Sequence, residues 1–327
     1  MHLYNGTVLD IAQMPASPAY KTLMERLGNA PPPPPPGRLA KWQRWYNKKR
    51  GRPATADVGT LASLFTALKD ATEEALGGGG GGQPIYRVAV SLPSIPALTP
   101  EDLTDALEHA DLRNWLDRDT PRDYPPKHVA QSRAVFAGNG HGLCATYTDH
   151  LYCEFENSDL PRRLALFVSL TRHALYASLD VVGSAFPRWM SDGPRVLDFE
   201  AGLERGRGRF ASDADYWAHV RAQIVGLVRG NAKRPLEVVL LGGENATDGA
   251  FLATLRDALA ELSPVSVEPP SVDTAAVADP AFAAARGMAV FARRRQEVPG
   301  HCKELPKCEK QRKAERAGER EGRAELR

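Results

Sequence analysis

The sequence predicts an α/β fold, and three observations lead there. Amphipathic stretches with helical spacing alternate with short, apolar, β-rich runs. One run, LEVVLL at 236–241, is almost wholly apolar, as a strand buried on both faces requires. Helix-start signals also sit where the periodicity changes. Thr99 can cap, Pro100 fits a first turn, and Glu101 and Asp102 suit the positive end of the helix dipole.

The elements follow in order. Residues 1–56 read as a basic, Pro-rich N-terminal segment. Within it Pro31–Pro36 is an unbroken proline run, stiff and unable to join a helix or a central strand. It reads as a surface loop, with docking to a proline-recognition domain as the alternative. Residues 37–52 then carry seven basic side chains and no acid, interleaved with Trp42, Trp45 and Tyr46. Cations with stacking aromatics suit single-stranded nucleic acid. Spacings of three and four instead favour a short helix that buries the aromatics and keeps the charges in water.

A helix is expected over 57–76, with Val58, Leu61, Phe65 and Leu68 on one face. It stops at a Gly-rich loop, 77–82. A strand follows at 85–93, then a helix that buries Leu103, Ala106, Leu107 and Ala110. Residues 111–140 read as polar and turn-rich, and 141–182 as a β block. After an irregular stretch, residues 213–229 form a helix with Trp217, Val220, Ile224 and Leu227/Val228 on one face. The strand at 236–241 ends in Gly242–Gly243, and Asp248 caps a helix through Leu262. A last helix starts at Asp279–Pro280 and buries Phe282, Ala285, Ala289 and Ala292. Residues 293–327 hold 12 basic and 7 acidic side chains and read as a charged, disordered tail.

Composition narrows the classes. The 327 residues carry 42 basic and 40 acidic side chains, net +2, so no global demand for a polyanion follows. No apolar run approaches membrane-spanning length, and the N-terminus lacks the pattern of a signal peptide. A soluble cytoplasmic protein is expected. Cys144 and Cys153 are therefore expected as buried, reduced thiols. His301, Cys302 and Cys308 fall one ligand short of a zinc set. Asp149 and His150 with Ser169 or Ser178 match a hydrolase triad by composition alone, with no G-x-S-x-G elbow. Glu154 and Glu156 alternate as on the solvent face of a strand.

The segment LEVVLLGGENATDGAFLATLRDAL at 236–259 resembles the adenosine-binding corner of the actin-like ATPases, especially the seventy-kilodalton heat-shock chaperones. An alanine-rich segment, DPAFAAARGMAVFA at 279–292, looks like the end of that ATPase domain. LASLFTALKDATEEALG at 61–77, with YRVAVSLPSIPALTPEDLTDALEHADL after it, looks like a helix–strand–helix of its first lobe. The resemblance implies an actin-like (ribonuclease-H-like) fold over 57–292, incomplete at the N-terminal side.

That family grips phosphates with two Gly/Thr hairpins, each bearing an aspartate near Mg²⁺. The first has no counterpart in 1–56 beyond Asn5–Gly6–Thr7. The second aligns with 166–179. There Ser169 takes the aspartate position, Thr171, Arg172 and His173 the three glycines, and Ala174 the threonine. Mg²⁺ binding is not expected, and ATP or ADP is at most weakly held. Nucleotide contacts are expected from Gly242, Gly243 and Glu244 at the corner and from Ser169, Arg172 and His173 at the hairpin. The resemblance thus implies a non-catalytic relative serving as a nucleotide-sensing or protein-interaction module. The alternatives are a nucleic-acid-associated protein using 38–52 and the basic tail, and a truncated piece of a longer, active ATPase.

Overall fold

A computed structural model describes residues 1, 7–77, 84–118, 127–186, 193–262, 272–273 and 279–297. The architecture is mixed α/β. Helix α1 (Pro18–Asn29) starts at Ser17, whose hydroxyl accepts from the Tyr20 N–H. The proline run after it is exposed and leads into α2 (Arg38–Lys49). Thr55 caps α3 (Ala56–Ala75), which stops before Gly77, at φ +107°. The apolar run at 85–93 forms only two short pairings. β1 (Arg87–Val88) runs parallel to β3 (Arg113–Asn114), and β2 (Ser91–Leu92) runs parallel to β4 (Val129–Ala130). Between them α4 (Pro100–His109) starts as its sequence dictates, with the Thr99 hydroxyl accepting from the Asp102 N–H. Its expected stripe of Leu103, Ala106, Leu107 and Ala110 is buried.

Helices α5 (Gln131–Gly138) and α6 (His150–Asp159) precede a sheet. Its strands are β5 (Arg163–Leu170), β6 (Leu175–Val182), β7 (Arg195–Asp198), β8 (Val238–Gly242) and β9 (Val272–Asp273). The spatial order is β7-β6-β5-β8-β9. β5, β6 and β7 form an antiparallel meander, whereas β8 and β9 add in parallel to β5. Between β7 and β8 lie α7 (Leu203–Arg207) and α8 (Asp213–Asn231), and α9 (Gly249–Leu262) connects β8 to β9. A parallel neighbour needs such a crossover. α10 (Ala283–Glu297) closes the described chain.

Both faces of the sheet are covered, which explains the continuous apolar strands. Leu164, Leu166, Val168 and Leu170 alternate onto one face with Leu175, Leu179, Val239 and Leu241. They pack on Tyr216, Val220 and Ile224 of α8 and Phe251, Leu255 and Leu259 of α9. Ala165, Phe167, Tyr176, Val238 and Leu240 point the other way, onto Val135, Phe136 and Ala137 of α5 and Ala283 of α10.

Several expectations are corrected. Residues 150–159 are helical rather than part of a β block. Asp149 caps them by accepting from the Leu151 and Tyr152 N–H groups, which fixes a helix start inside a run of β-prone residues. Glu154 and Glu156 therefore lie on a helix. The Glu156 carboxylate accepts from the Ala145 and Thr146 N–H groups and the Thr146 hydroxyl, and it is held below the usual carboxylate range, chiefly by that hydroxyl. Cys144 and Cys153 form a disulfide, with Cα atoms 5.2 Å apart, and not two reduced thiols. The supposed turn-rich stretch 111–140 contains α5, one of the most deeply buried helices. In α10 the buried residues are Ala283, Gly287, Met288 and Phe291 instead of Phe282, Ala285, Ala289 and Ala292. Leu23, Met24 and Leu27 of α1 bury in one cluster with Val58, Leu61 and Ala62 of α3. Such burial contributes about 2 kcal/mol per side chain. Residues 293–297, expected as the start of a disordered tail, are instead the last residues of α10. His301, Cys302, Cys308 and the rest of the tail lie outside the described residues, as does the Gly-rich loop beyond Gly77.

The phase of α10 has a steric origin. Ala134 and Gly138 on α5 face Ala283 and Gly287 on α10 so closely that a Cβ on Gly287 would overlap the Ala134 carbonyl, and one on Gly138 the Ala283 carbonyl. By contrast, a Cβ on Gly226, exposed on α8, would meet nothing within 4 Å. We expect Gly287→Ala to cost about 3 kcal/mol through overpacking. Gly226→Ala should gain about 0.5–1 kcal/mol through helix propensity. Urea unfolding of the two variants checks both signs.

Candidate functional site

Parallel pairing of β5 with β8 sets Ser169 directly opposite Gly242. The tip of the β5–β6 hairpin, Thr171–Ala174, thereby lies against the turn that follows β8. The six residues expected to contact a nucleotide are thus in one neighbourhood. What the neighbourhood does with its polar groups is the informative part.

Each hairpin N–H has a partner within the chain. Arg172 N–H donates to Glu244 Oε1 at 2.9 Å. His173 and Ala174 N–H groups donate to the Thr171 hydroxyl at 3.3 and 3.0 Å. The Thr171 N–H and hydroxyl both donate to the Ala174 carbonyl. On the other side, Leu203 and Glu204 N–H groups donate to the Thr171 and Arg172 carbonyls. Gly202 is pressed against His173 and Ala174 so tightly that a Cβ would overlap their backbone. Asn245 N–H donates to the Leu170 carbonyl at 3.1 Å, completing a clamp around the hairpin.

The two glycines of the corner have internal reasons. A Cβ on Gly242 would meet the Phe167 ring at 2.9 Å. Gly243 has φ +89°, and a Cβ there would overlap the Leu170 carbonyl. Both glycines let the corner approach its own hairpin. A phosphate needs a nest of uncommitted N–H groups. Here the Glu244 carboxylate and the Thr171 hydroxyl already hold them, so these residues do not fit a bound nucleotide phosphate. The Arg172 side chain is exposed and points its guanidinium toward Glu204, at 3.6 Å. Ser169 is buried, with its hydroxyl against Gly243.

Behind the clamp, the Asp198 carboxylate accepts from the Glu200 and Ala201 N–H groups and pairs with His219 Nε2 at 2.8 Å. Tyr216, fully buried, donates its hydroxyl to the Ala201 carbonyl at 3.0 Å. Burial pushes the Tyr216 phenol up to about 12. These supports were not recognised in the sequence, because no local spacing links 198–202 to the hairpin. Three of the triad candidates have structural roles. Asp149 is a helix cap, the Ser178 hydroxyl donates to Asp180, and Ser169 lies at the hairpin. Among the described residues no three His, Cys, Asp or Glu side chains form a group that could hold a metal ion.

The basic segment is the second candidate, and it reverses an expectation. α2 is a helix, but Trp42 and Trp45 are 56% and 55% exposed, and none of its residues is buried. The packed face is the charged one. Arg44 donates to Asp102 at 2.8 Å and to Asp105 at 2.6 Å, and Lys48 donates to Asp105 and pairs with Glu108, both at 2.6 Å. α4 offers an acidic face to α2 and no apolar groove, so the cations rather than the indoles dock. Burial lowers the Arg44 and Lys48 pKa values, but the hydrogen bonds and charges of these carboxylates outweigh it and raise both.

No protein-family model matches the chain, and no curated protein matches it significantly. No helix among the described residues is long and apolar enough to cross a membrane.

Two outcomes test this geometry. Asp105→Ala should cost about 3 kcal/mol, because it leaves Arg44 part-buried without its nearest carboxylate. Hydrogen exchange across 38–49 should then rise more than across the sheet. Tyr216→Phe should cost about 1 kcal/mol at neutral pH by leaving the Ala201 carbonyl unpaired. The phenol's pKa is raised in the folded state, so its stabilisation is whole below the ordinary value of 10.0 and is lost as pH rises towards about 12. Tyr216→Phe should therefore lose less stability than the parent over that interval, as measured by urea unfolding at each pH.

Proposed function

We propose that the chain is a non-catalytic relative of chaperone-type ATPase domains and acts as a protein-interaction module. On this reading the five-stranded sheet is one lobe of an actin-like (ribonuclease-H-like) fold. Two features support that assignment. The strand bearing the double glycine lies beside the hairpin strand, with Gly242 opposite Ser169, and helices cover both faces of the sheet. The observation that carries the functional reading is the hairpin's own hydrogen bonding. The N–H groups of Arg172, His173 and Ala174 are spent on Glu244 and Thr171. A fold of this kind keeps its shape without a nucleotide, and it offers surface rather than turnover. Of the two roles the resemblance implies, interaction is therefore favoured over nucleotide sensing.

Calorimetry with ATP and with ADP, with and without Mg²⁺, tests the reading. The chain should show no binding tighter than about 1 mM and no phosphate release. Glu244→Ala frees the Arg172 N–H, and this variant should gain weak, measurable affinity for inorganic phosphate. Mg²⁺-dependent hydrolysis by the chain, abolished by Gly243→Val, would overturn the reading. Tight nucleotide binding without turnover would replace the interaction role with the sensing one.

A further inference from the structure

The outer face of α2 is unlike the rest of the surface. Leu39, Trp42 and Trp45 are exposed together, and Trp42 stacks on Tyr46 with centroids 5.2 Å apart and planes 13° from parallel. The Arg50 guanidinium lies over the other end of that column, 4.6 Å from the Tyr46 centroid. Arg38, Lys41, Lys49, Arg50 and Arg52 surround the rings, and none makes an ion pair among the described residues. Arg44 and Lys48 are turned away and neutralise α4. Trp45 also borders a shallow groove of about 330 Å³ between α2 and α4, lined by Lys41, Arg44, Lys48 and Lys49 and by Glu101 and Asp105.

Holding two indoles in water is costly to a helix that had an amphipathic alternative, since burying each ring contributes a few kcal/mol. We infer that this face binds single-stranded nucleic acid, with bases stacking on Trp42 and Trp45 and phosphates meeting the surrounding cations. The charge excludes a second copy of the chain, whose α2 is equally basic. An acidic protein segment would answer the charge, but it would also need a continuous apolar centre that sheds water. Here the apolar patch is small, Leu39 and three rings, and Arg38, Lys41, Lys49 and Arg50 border it. Flat rings spaced along a basic track suit unpaired bases, which offer a π-face whatever their sequence. Duplexes keep their bases stacked inside and cannot use the indoles. Glu101 of α4 shares the groove beside Trp45, and Glu108 pairs with Lys48, so their charge directs the strand onto the face that carries Leu39, Trp42 and Tyr46. This inference is independent of the hairpin and its nucleotide chemistry.

The test is fluorescence anisotropy of the full chain with fluorescein-labelled oligo(U) and oligo(dT) of roughly 20 nucleotides. With about four phosphates contacted, affinity should fall roughly 50-fold between about 50 and about 200 mM salt. Trp42→Ala and Trp45→Ala should each weaken binding roughly tenfold, while Trp45→Phe retains most of it. Lys41→Glu with Lys49→Glu should weaken binding further and flatten the salt dependence. Both indoles are exposed, so the circular dichroism of the variants should match the parent. Oligo(U) against oligo(dT) separates RNA from DNA. Three outcomes overturn the inference. One is no binding at about 100 μM chain and about 50 mM salt. Another is binding indifferent to both tryptophans, which would assign it to cations elsewhere. The third is tighter, tryptophan-dependent binding of a labelled polyglutamate peptide or of a duplex.

Discussion

The parallel pairing of β5 with β8 is the constraint on which the rest depends. It joins an antiparallel meander to a crossover unit, and it can form only if both strands are apolar on both faces. Leu164 to Leu170 and Val238 to Gly242 are buried at every residue, and Ser169 is the one polar side chain among them. Once the pair forms, α8 and α9 must cover one face, and α5 and α10 the other. The same register carries the hairpin tip to the end of β8, so the candidate site is a consequence of the pairing rather than an addition to it.

Glycine at such a corner has two physical meanings, and the neighbours decide between them. It can make room for a ligand, or it can make room for the protein. Gly242 yields to the Phe167 ring and Gly243 to the Leu170 carbonyl, and Gly202 closes on the hairpin from the other side. The hairpin N–H groups follow the same logic. A carboxylate and a hydroxyl from the chain occupy positions where an anion's oxygens could have been, each worth about 1 kcal/mol net. Several together make a rigid, self-sufficient corner.

Helix α2 shows how a partner surface overrules an amphipathic pattern. Its aromatics at spacings of three and four would bury well against an apolar groove. α4 instead presents Glu101, Asp102, Asp105 and Glu108, because its own apolar stripe is already committed to the core. Asp105 is nearly buried and has to be answered by charge, so Arg44 and Lys48 turn inward. The helix is then held by ion pairs on one side and carries its rings in water on the other.

Local signals in the sequence determined much of this protein. The caps at Thr99 and Asp248, the buried stripe of α4, the apolar strand at 238–242 and the stop at Gly77 all follow from interactions within a few residues. Other features were decided only by contacts far apart in the chain. The face of α10 was set by its close crossing with α5, which shifts the buried set onto Ala283 and Gly287. The helical state of 150–159 won over β-prone residues through Asp149 and a cross-link to Cys144. The inward turn of Arg44 answers carboxylates some 60 residues away in sequence. Periodicity shows that a helix has a preferred face. Only the partner shows which face can be satisfied, because burial and charge pairing are properties of two surfaces and not of one.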